Sequence, residues 1–317
     1  MKELFDFNVW RHAPKEINEG GKSDTLTENL DKEQAASEIA SAVDSFLVEV
    51  ETMPNGSIVC LESSPIARAH ETKDLFIERL RESIDGQVLE IELTEIGTAG
   101  EPEEQIQQRL EYMRSQPDTK FVITNIHDTL MLGVSDRAKF LPALDKWKKI
   151  TGGNENLIAK LWAARPDELP GLATQLQKNG VSTEEQLNPS EFIVTPEERA
   201  MKQIRWMTSM QRVSQKYFPD RPFYFEGISH NMPSDFTILK LLGEDISVDS
   251  INRVLGGELR KPLERSSVKF FDDGSVMVEY RDLKKTYSAE EFNVLVKDIK
   301  EAEEKREEEW KDNYSKS

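Results

Sequence analysis

The sequence predicts an α/β fold: a three-layer α/β/α sandwich with a mostly parallel sheet and a helical insertion. Three observations carry that expectation. Short apolar runs alternate with helical periodicities through the first 95 residues, the order that builds a parallel sheet with helices on both faces. Strand character returns at Arg221–Ser229 and closes in a hairpin at residues 267–281. Between these parts, residues 131–195 show helical periodicity with only one strand candidate, Glu191–Val194.

Phe5–Trp10 reads as the first strand and stops at Arg11-His12. After a polar loop, Asp31 with Gln34 resembles a capping box, and Ala35, Ile39, Val43, Phe46, Leu47 and Val50 recur at helical spacing. Pro54-Asn55-Gly56 is a turn signal before the buried-type strand Ser57–Leu61. Ser63-Ser64-Pro65 opens the next element, a helix from Ile66 to Leu80, and Val88–Leu93 is a third strand. Glu101–Ser115 reads as a polar helix and Lys120–Asn125 as a strand. Thr195-Pro196-Glu197-Glu198 starts a helix that runs to about Tyr217, with proline at the first helical position. Asp235–Leu242 is a helix closed by Gly243. From Ser288 onward a Glu/Lys-rich amphipathic helix is expected to pack through Phe292, Val294, Leu295 and Ile299. Trp147, Trp162 and Trp206 are read as packing the insertion. The expected organisation is a core of residues 1–130 and 196–287, an insertion or cap of 131–195, and a charged terminal helix of 288–317.

Composition limits the function. The chain has 317 residues, 37% hydrophobic and 32% charged, which suits a soluble globular protein. A net charge of −18 argues against nucleic-acid binding, which gains most of its affinity by neutralising phosphates with Lys and Arg. The single cysteine, Cys60, lies in an apolar run and reads as a core residue. It excludes an intrachain disulfide and a cysteine metal cluster. No signal peptide or apolar membrane span is evident, so a cytoplasmic location without membrane attachment is expected. A phosphorylated substrate would need a local positive pocket inside this acidic molecule.

The strand ends supply one. In an open parallel sheet, ligands bind beyond the carboxyl ends of the strands. The first strand delivers Arg11 and His12, the second leads to Arg68, and the late strand delivers His230. Guanidinium groups bind phosphate oxygens in bidentate fashion, and a neutral imidazole can attack phosphorus to form a covalent phosphohistidine. Neighbouring arginines hold such a histidine neutral, and a carboxylic acid can protonate the departing oxygen.

Asn8-Val9-Trp10-Arg11-His12-Ala13 resembles the Arg-His signature of the histidine phosphatase (phosphoglycerate mutase-like) superfamily. Leu26-Thr27-Glu28 with Gln34-Ala35 resembles the stretch that opens that family's first helix, without its glycine. Ser63-Ser64-Pro65-Ile66-Ala67-Arg68-Ala69-His70-Glu71-Thr72 is similar to its SSPxxRAxxT signature, the most specific match in the chain. Leu93-Thr94-Glu95 resembles the segment that carries the family's acid, and Ile228-Ser229-His230 its late strand. The resemblance covers the first 100 residues and about 197–281.

The resemblance implies that Arg11, Arg68 and His230 bind the phosphoryl group, His12 attacks it, and Glu95 serves as acid and base. It implies no cofactor, and the sequence offers no metal cluster. Two alternatives stay open. His127 also follows a strand, but the helix, closing glycine and hairpin after His230 fit the fold's ending better. Glu101 and Glu103 share the loop region of Glu95. Ser64 is a helix cap or phosphate neighbour, Lys15 and Asn18 follow His12, and His70 has no catalytic part. The expected reaction is hydrolysis of a phosphate monoester, on a small molecule or a phosphoprotein. Mutase activity is disfavoured by Pro14-Lys15-Glu16-Ile17-Asn18 after the first histidine. A phosphotransferase, or a non-catalytic phosphate-binding protein with the same pocket, are the competing readings.

Overall fold

The computed structural model describes residues 2–13, 32–64, 67–83, 86–90, 104–126, 137–177 and 195–314. These residues form eight strands in one sheet: β1 (Glu3–Arg11), β2 (Ile58–Ser63), β3 (Gly86–Glu90), β4 (Lys120–Ile126), β5 (Phe223–Ser229), β6 (Arg265–Phe271), β7 (Val276–Tyr280) and β8 (Leu283–Tyr287). Their spatial order is β3-β4-β2-β5-β1-β6-β7-β8. The first five in that order run parallel, and β6, β7 and β8 add an antiparallel meander at one edge. The helices are α1 (Lys32–Thr52), α2 (Ala67–Ser83), α3 (Glu104–Ser115), α4 (Arg137–Thr151), α5 (Glu155–Ala163), α6 (Leu169–Leu176), α7 (Pro196–Tyr217), α8 (Asn231–Leu241), α9 (Val248–Val254) and α10 (Ala289–Tyr314).

The chain divides into two compact units: residues 1–131, 205–230 and 261–298, and residues 132–204, 231–260 and 299–317. The first is a three-layer sandwich. Side chains alternate across each strand, so the residues of β1 sort onto two faces. On one face Trp10, Leu61 and Ile228 pack against Val43 and Phe46 of α1 and Phe76 and Leu80 of α2. On the other, Phe7 stacks on Phe225 at 4.7 Å, and Trp206 of α7 meets both edge-on at 5.4 and 4.9 Å. Tyr112 of α3 meets Phe121, and Phe292 of α10 meets Phe270. Trp206 therefore packs the sheet, whereas the sequence reading placed it in the insertion; its helix continues past Ile204 into the first unit, as residues Arg205 to Tyr217.

In the second unit Trp147 and Trp162 are buried as expected, and Trp162 meets Phe236 at 5.4 Å. The fully buried Asp235 and Arg260 form an ion pair at 3.6 Å.

The parallel register fixes where the strands end. Trp10 lies opposite Ile228, which lies opposite Ser63, which lies opposite Ile126. The carboxyl ends of β1, β2, β4 and β5 thus reach one edge at the same level.

Helix starts follow local chemistry. Thr195 and Glu198 form a reciprocal capping box: the Thr195 N–H donates to Glu198 Oε2 at 2.6 Å, and the Glu198 N–H to Thr195 Oγ1 at 3.2 Å. Ser288 and Glu291 do the same for α10. The structure departs from the sequence reading in four further places. α8 begins at Asn231, not Asp235, because Pro233 falls in the first turn, where no N–H is needed. β8 was unread: its five residues include two exposed or half-exposed lysines, the pattern of a protected edge strand. α9 is a short capped helix with no long apolar face, and it too was unread. Val294 is 52% exposed and does not pack the terminal helix, while Phe292 and Ile299 are buried. The Asp31–Gln34 box and the Glu191–Val194 strand lie outside the described residues. Among the described residues no helix is long and apolar enough to cross a membrane.

Candidate active site

The carboxyl edge gathers four of the residues singled out from the sequence. β1 ends at Arg11, and the next residue, His12, is pinned by its N–H to the Ser229 carbonyl at 2.9 Å. The following N–H, of Ala13, donates to Thr72 Oγ1 at 3.2 Å, and that hydroxyl donates to the Arg68 carbonyl at 2.6 Å. The backbone of Arg11 is held on its other side, where its N–H meets the Glu264 carbonyl at 3.1 Å and its carbonyl accepts from Leu263 at 3.0 Å. Leu263 adopts φ of 58°, a conformation that side chains other than glycine rarely take.

His12 and His230 are each 3% exposed, with ring centroids 5.2 Å apart and rings inclined at 63°. Arg68, 7% exposed, approaches from α2, and Arg11 is half-buried at the strand end. Ser64 is fully buried; its N–H donates to the Ile228 carbonyl at 3.0 Å, and its Oγ lies 3.1 Å from His230 Nε2.

These contacts settle the imidazole tautomers. His12 Nδ1 lies 2.5 Å from the Ala13 carbonyl, which can only accept, so Nδ1 carries the proton and Nε2 carries the lone pair. Arg68 Nη2 lies 3.3 Å from His230 Nδ1, and a guanidinium can only donate. His230 Nδ1 is therefore the acceptor, and Nε2–H points at Ser64.

Both imidazoles are held neutral. The pKa of His12 lies well below its ordinary 6.5, first through burial, then through the charges of Arg68, His230 and Arg11; the bond to Ala13 works the other way. The pKa of His230 is lowered similarly by burial, Arg68 and Arg11.

Beneath this edge lies a buried polar brace. Trp10 Nε1 donates to Glu226 Oε2 at 2.5 Å, and Asn8 Nδ2 donates to Oε1 at 2.9 Å. Burial lifts the Glu226 carboxyl to about 8, against the pull of Arg265. Arg265 stacks over the Trp10 ring at 5.1 Å and pairs with Glu49 at 2.6 Å. The brace holds Trp10, two residues before His12.

The structure thus brings together Arg11, His12, Arg68 and His230. Glu95, Glu101, Glu103, His127, Lys15 and Asn18 lie outside the described residues. His70 is half-exposed on α2, with its Nε2 3.6 Å from Asp74 Oδ2. Cys60 is fully buried, with its thiol pKa pushed well up by burial. Sequence reasoning missed the positioning contacts of Thr72 and Glu226. Thr72 sits four residues after Arg68, one helical turn on the same face. Glu226 is a carboxylate inside the apolar run Phe223-Tyr224-Phe225-Glu226-Gly227-Ile228, itself an anomaly that could have been followed.

No family model and no curated protein matches the chain. Among solved structures it is similar to a mycobacterial hydrolase, with TM-score 0.44 and 11% identity over 87% of this chain and 95% of that one. A mycobacterial glucosyl-3-phosphoglycerate phosphatase gives 0.44 and 10%, over 83% and 90%. Phosphoserine phosphatase from Entamoeba histolytica gives 0.38 and 11%, over 85% and 92%. Further matches include a phosphoglycerate mutase from Plasmodium falciparum. By name these solved structures are hydrolases, phosphatases and a phosphoglycerate mutase.

Proposed function

We propose that this chain hydrolyses phosphate monoesters through a phosphohistidine on His12, as a member of the histidine phosphatase class. The observation that carries the proposal is the state of His12: buried, neutral, protonated on Nδ1 by its bond to the Ala13 carbonyl, and flanked by Arg68, Arg11 and His230. Its Nε2 lone pair is the nucleophile that such a reaction needs.

In the first step Nε2 attacks phosphorus, a P–N bond forms, and the ester P–O bond breaks. Charge collects on the equatorial phosphoryl oxygens, where Arg68 and Arg11 stabilise it. His230 adds the Nε2–H that Arg68 orients, in reach of Ser64 and of a phosphoryl oxygen. The leaving oxygen takes a proton from a carboxylic acid, assigned to Glu95 on the sequence match. In the second step water loses a proton to that carboxylate and attacks phosphorus, and the P–N bond breaks to release phosphate and restore His12. Both steps proceed without a metal ion. The resemblance to phosphatases that act on phosphorylated small molecules supports a substrate of that class.

The test is hydrolysis of an aryl phosphate in excess chelator, comparing wild type with His12→Ala. Chelator-resistant turnover lost in His12→Ala supports the mechanism. Turnover that survives in His12→Ala removes His12 from it.

A further inference from the structure

The second unit carries a polar cluster that the phosphoryl pocket does not use. Arg199 and Gln203 stand one turn apart on α7, so their side chains leave the same face of the helix. Arg199 is 5% exposed and Gln203 2%. Among the described residues the Arg199 Nε is buried without a hydrogen-bond partner, and the guanidinium makes no ion pair, although the charge of Glu198 acts on it through space and opposes the effect of burial. Its sequence neighbour Glu198 is engaged by the Thr195 N–H in the capping box. The Gln203 Oε1 accepts from Thr237 Oγ1 of α8 at 2.5 Å, which orients the amide, and its Nε2 is buried without a partner among the described residues. Ser234, one turn before Thr237 on α8 and 2% exposed, has a buried hydroxyl that likewise lacks a partner among the described residues.

Three unpartnered donors within one helix pair are costly. A buried cation loses its hydration and is tolerated only with compensating hydrogen bonds or a counter-charge. Each neutral donor left unmade adds a further desolvation penalty. Burial accordingly lowers the Arg199 pKa to about 10, too little to discharge it at neutral pH. The unpartnered atoms can all donate and Arg199 carries a positive charge, so the partner they fit is an acceptor with negative charge. A planar guanidinium beside an amide N–H matches the geometry of a carboxylate or phosphate oxygen pair.

We propose that Arg199 and Gln203, with the Ser234 hydroxyl on the neighbouring helix, form a binding site for the oxyanion group of a small acid. The occupant is a carboxylate or a phosphate, and the site is built from residues separate from those around His12.

The test is calorimetric titration of the full-length protein with inorganic phosphate and, separately, with malonate. Wild type, Arg68→Met, Arg199→Met and Gln203→Leu are compared, each checked for fold by circular dichroism. At least one anion is expected to bind Arg68→Met, whose phosphoryl pocket is impaired. That binding is expected to weaken on the order of tenfold or more in Arg199→Met, and by less in Gln203→Leu, in line with the loss of a charged against a neutral donor. Response to malonate alone identifies a carboxylate site, and response to phosphate alone a phosphate site. If Arg199→Met does not fold, the weakening in Gln203→Leu decides. The inference is overturned if neither anion binds Arg68→Met, or if the variants of Arg199 and Gln203 bind as wild type does. The aryl phosphate assay on His12→Ala is independent of either result.

Discussion

Arg68 Nη2 stands 3.3 Å from His230 Nδ1, and this one contact fixes which nitrogen of His230 can donate. Because the guanidinium has no acceptor, the imidazole must present Nδ1 to it and Nε2–H to the pocket. In the proposed reaction Arg68 therefore has two effects, holding phosphoryl charge directly and orienting a second donor.

Replacing Arg68 by Lys keeps a charge but loses the planar fork that would serve both His230 and a phosphoryl group in the proposed reaction. The expected fall in kcat/KM for an aryl phosphate is about 10²–10³-fold, the range for losing one preorganised donor. His230→Gln retains an amide N–H and is expected to lose less than Arg68→Lys. Steady-state kinetics on both variants check the ranking, and equal small losses would contradict the coupling.

The neutral state of the two histidines sets a pH dependence. Their folded pKa values lie well below 6.5, so His12 Nε2 keeps its lone pair as the pH falls through 6.5. The acid limb of kcat/KM is therefore expected below pH 6.5. The unfolded chain takes up protons on these groups near 6.5 and the folded chain does not, so their contribution to stability is full above 6.5 and is lost on acidification. Each histidine contributes a slope of at most about 1.4 kcal/mol per pH unit below 6.5. Urea unfolding of wild type and His12→Gln at pH 7 and pH 5 measures it. The variant should lose less stability on acidification, and parallel losses would contradict the burial-driven shift.

Arg221 ties three backbone segments together at the amino ends of β2, β4 and β5. Its Nη1 donates to the Met113 carbonyl at 2.6 Å, Nε to the Gly56 carbonyl and Nη2 to the Thr119 carbonyl. Gly56 has φ of 80°, and a Cβ there would stand 2.1 Å from the Pro117 oxygen. Arg221→Ala strands three carbonyls and is expected to cost about 2–4 kcal/mol. Gly56→Ala adds a clash to a strained backbone and is expected to cost at least about 2 kcal/mol. Denaturant midpoints check both, and a cost under about 0.5 kcal/mol for either would show that the junction relaxes.

What was legible in the sequence follows from how local the signal is. β1, β2 and β5 announce themselves because each is an apolar run that stops abruptly at a polar end, and those ends are where Arg11, Ser64 and His230 stand. The turn at Gly56 and the capping box at Thr195 are likewise written in adjacent residues. β8 was not legible, since an edge strand carries lysines in place of a buried face. Trp206 was misplaced because its partners, Phe7 and Phe225, come from strands distant in sequence. The brace under the site was hidden for the same reason: Trp10 and Glu226 are 216 residues apart, and only the sheet register brings them together.

Glu62 gives the sharpest stability prediction. It is fully buried near the end of β2, two residues before Ser64, opposite Gly227 in the register. Cys60 Sγ lies 4.0 Å from Oε1, and Oε2 is buried without a hydrogen-bond partner among the described residues. Burial raises its pKa to about 8, with Lys73 opposing. The folded chain thus holds a proton that the unfolded chain has lost, so stability falls as the pH rises from about 4.5 to about 8. Glu62→Gln keeps the shape of the protonated acid and removes the titration. The variant is expected to match wild type at pH 5 and to exceed it at pH 8 by about 2–4 kcal/mol, the scale of a desolvated carboxylate's shift. Urea midpoints of the two proteins at both pH values decide it. A difference that does not change between pH 5 and pH 8 would mean that Glu62 is ionised in the folded protein throughout, held by Lys73 against the cost of burial.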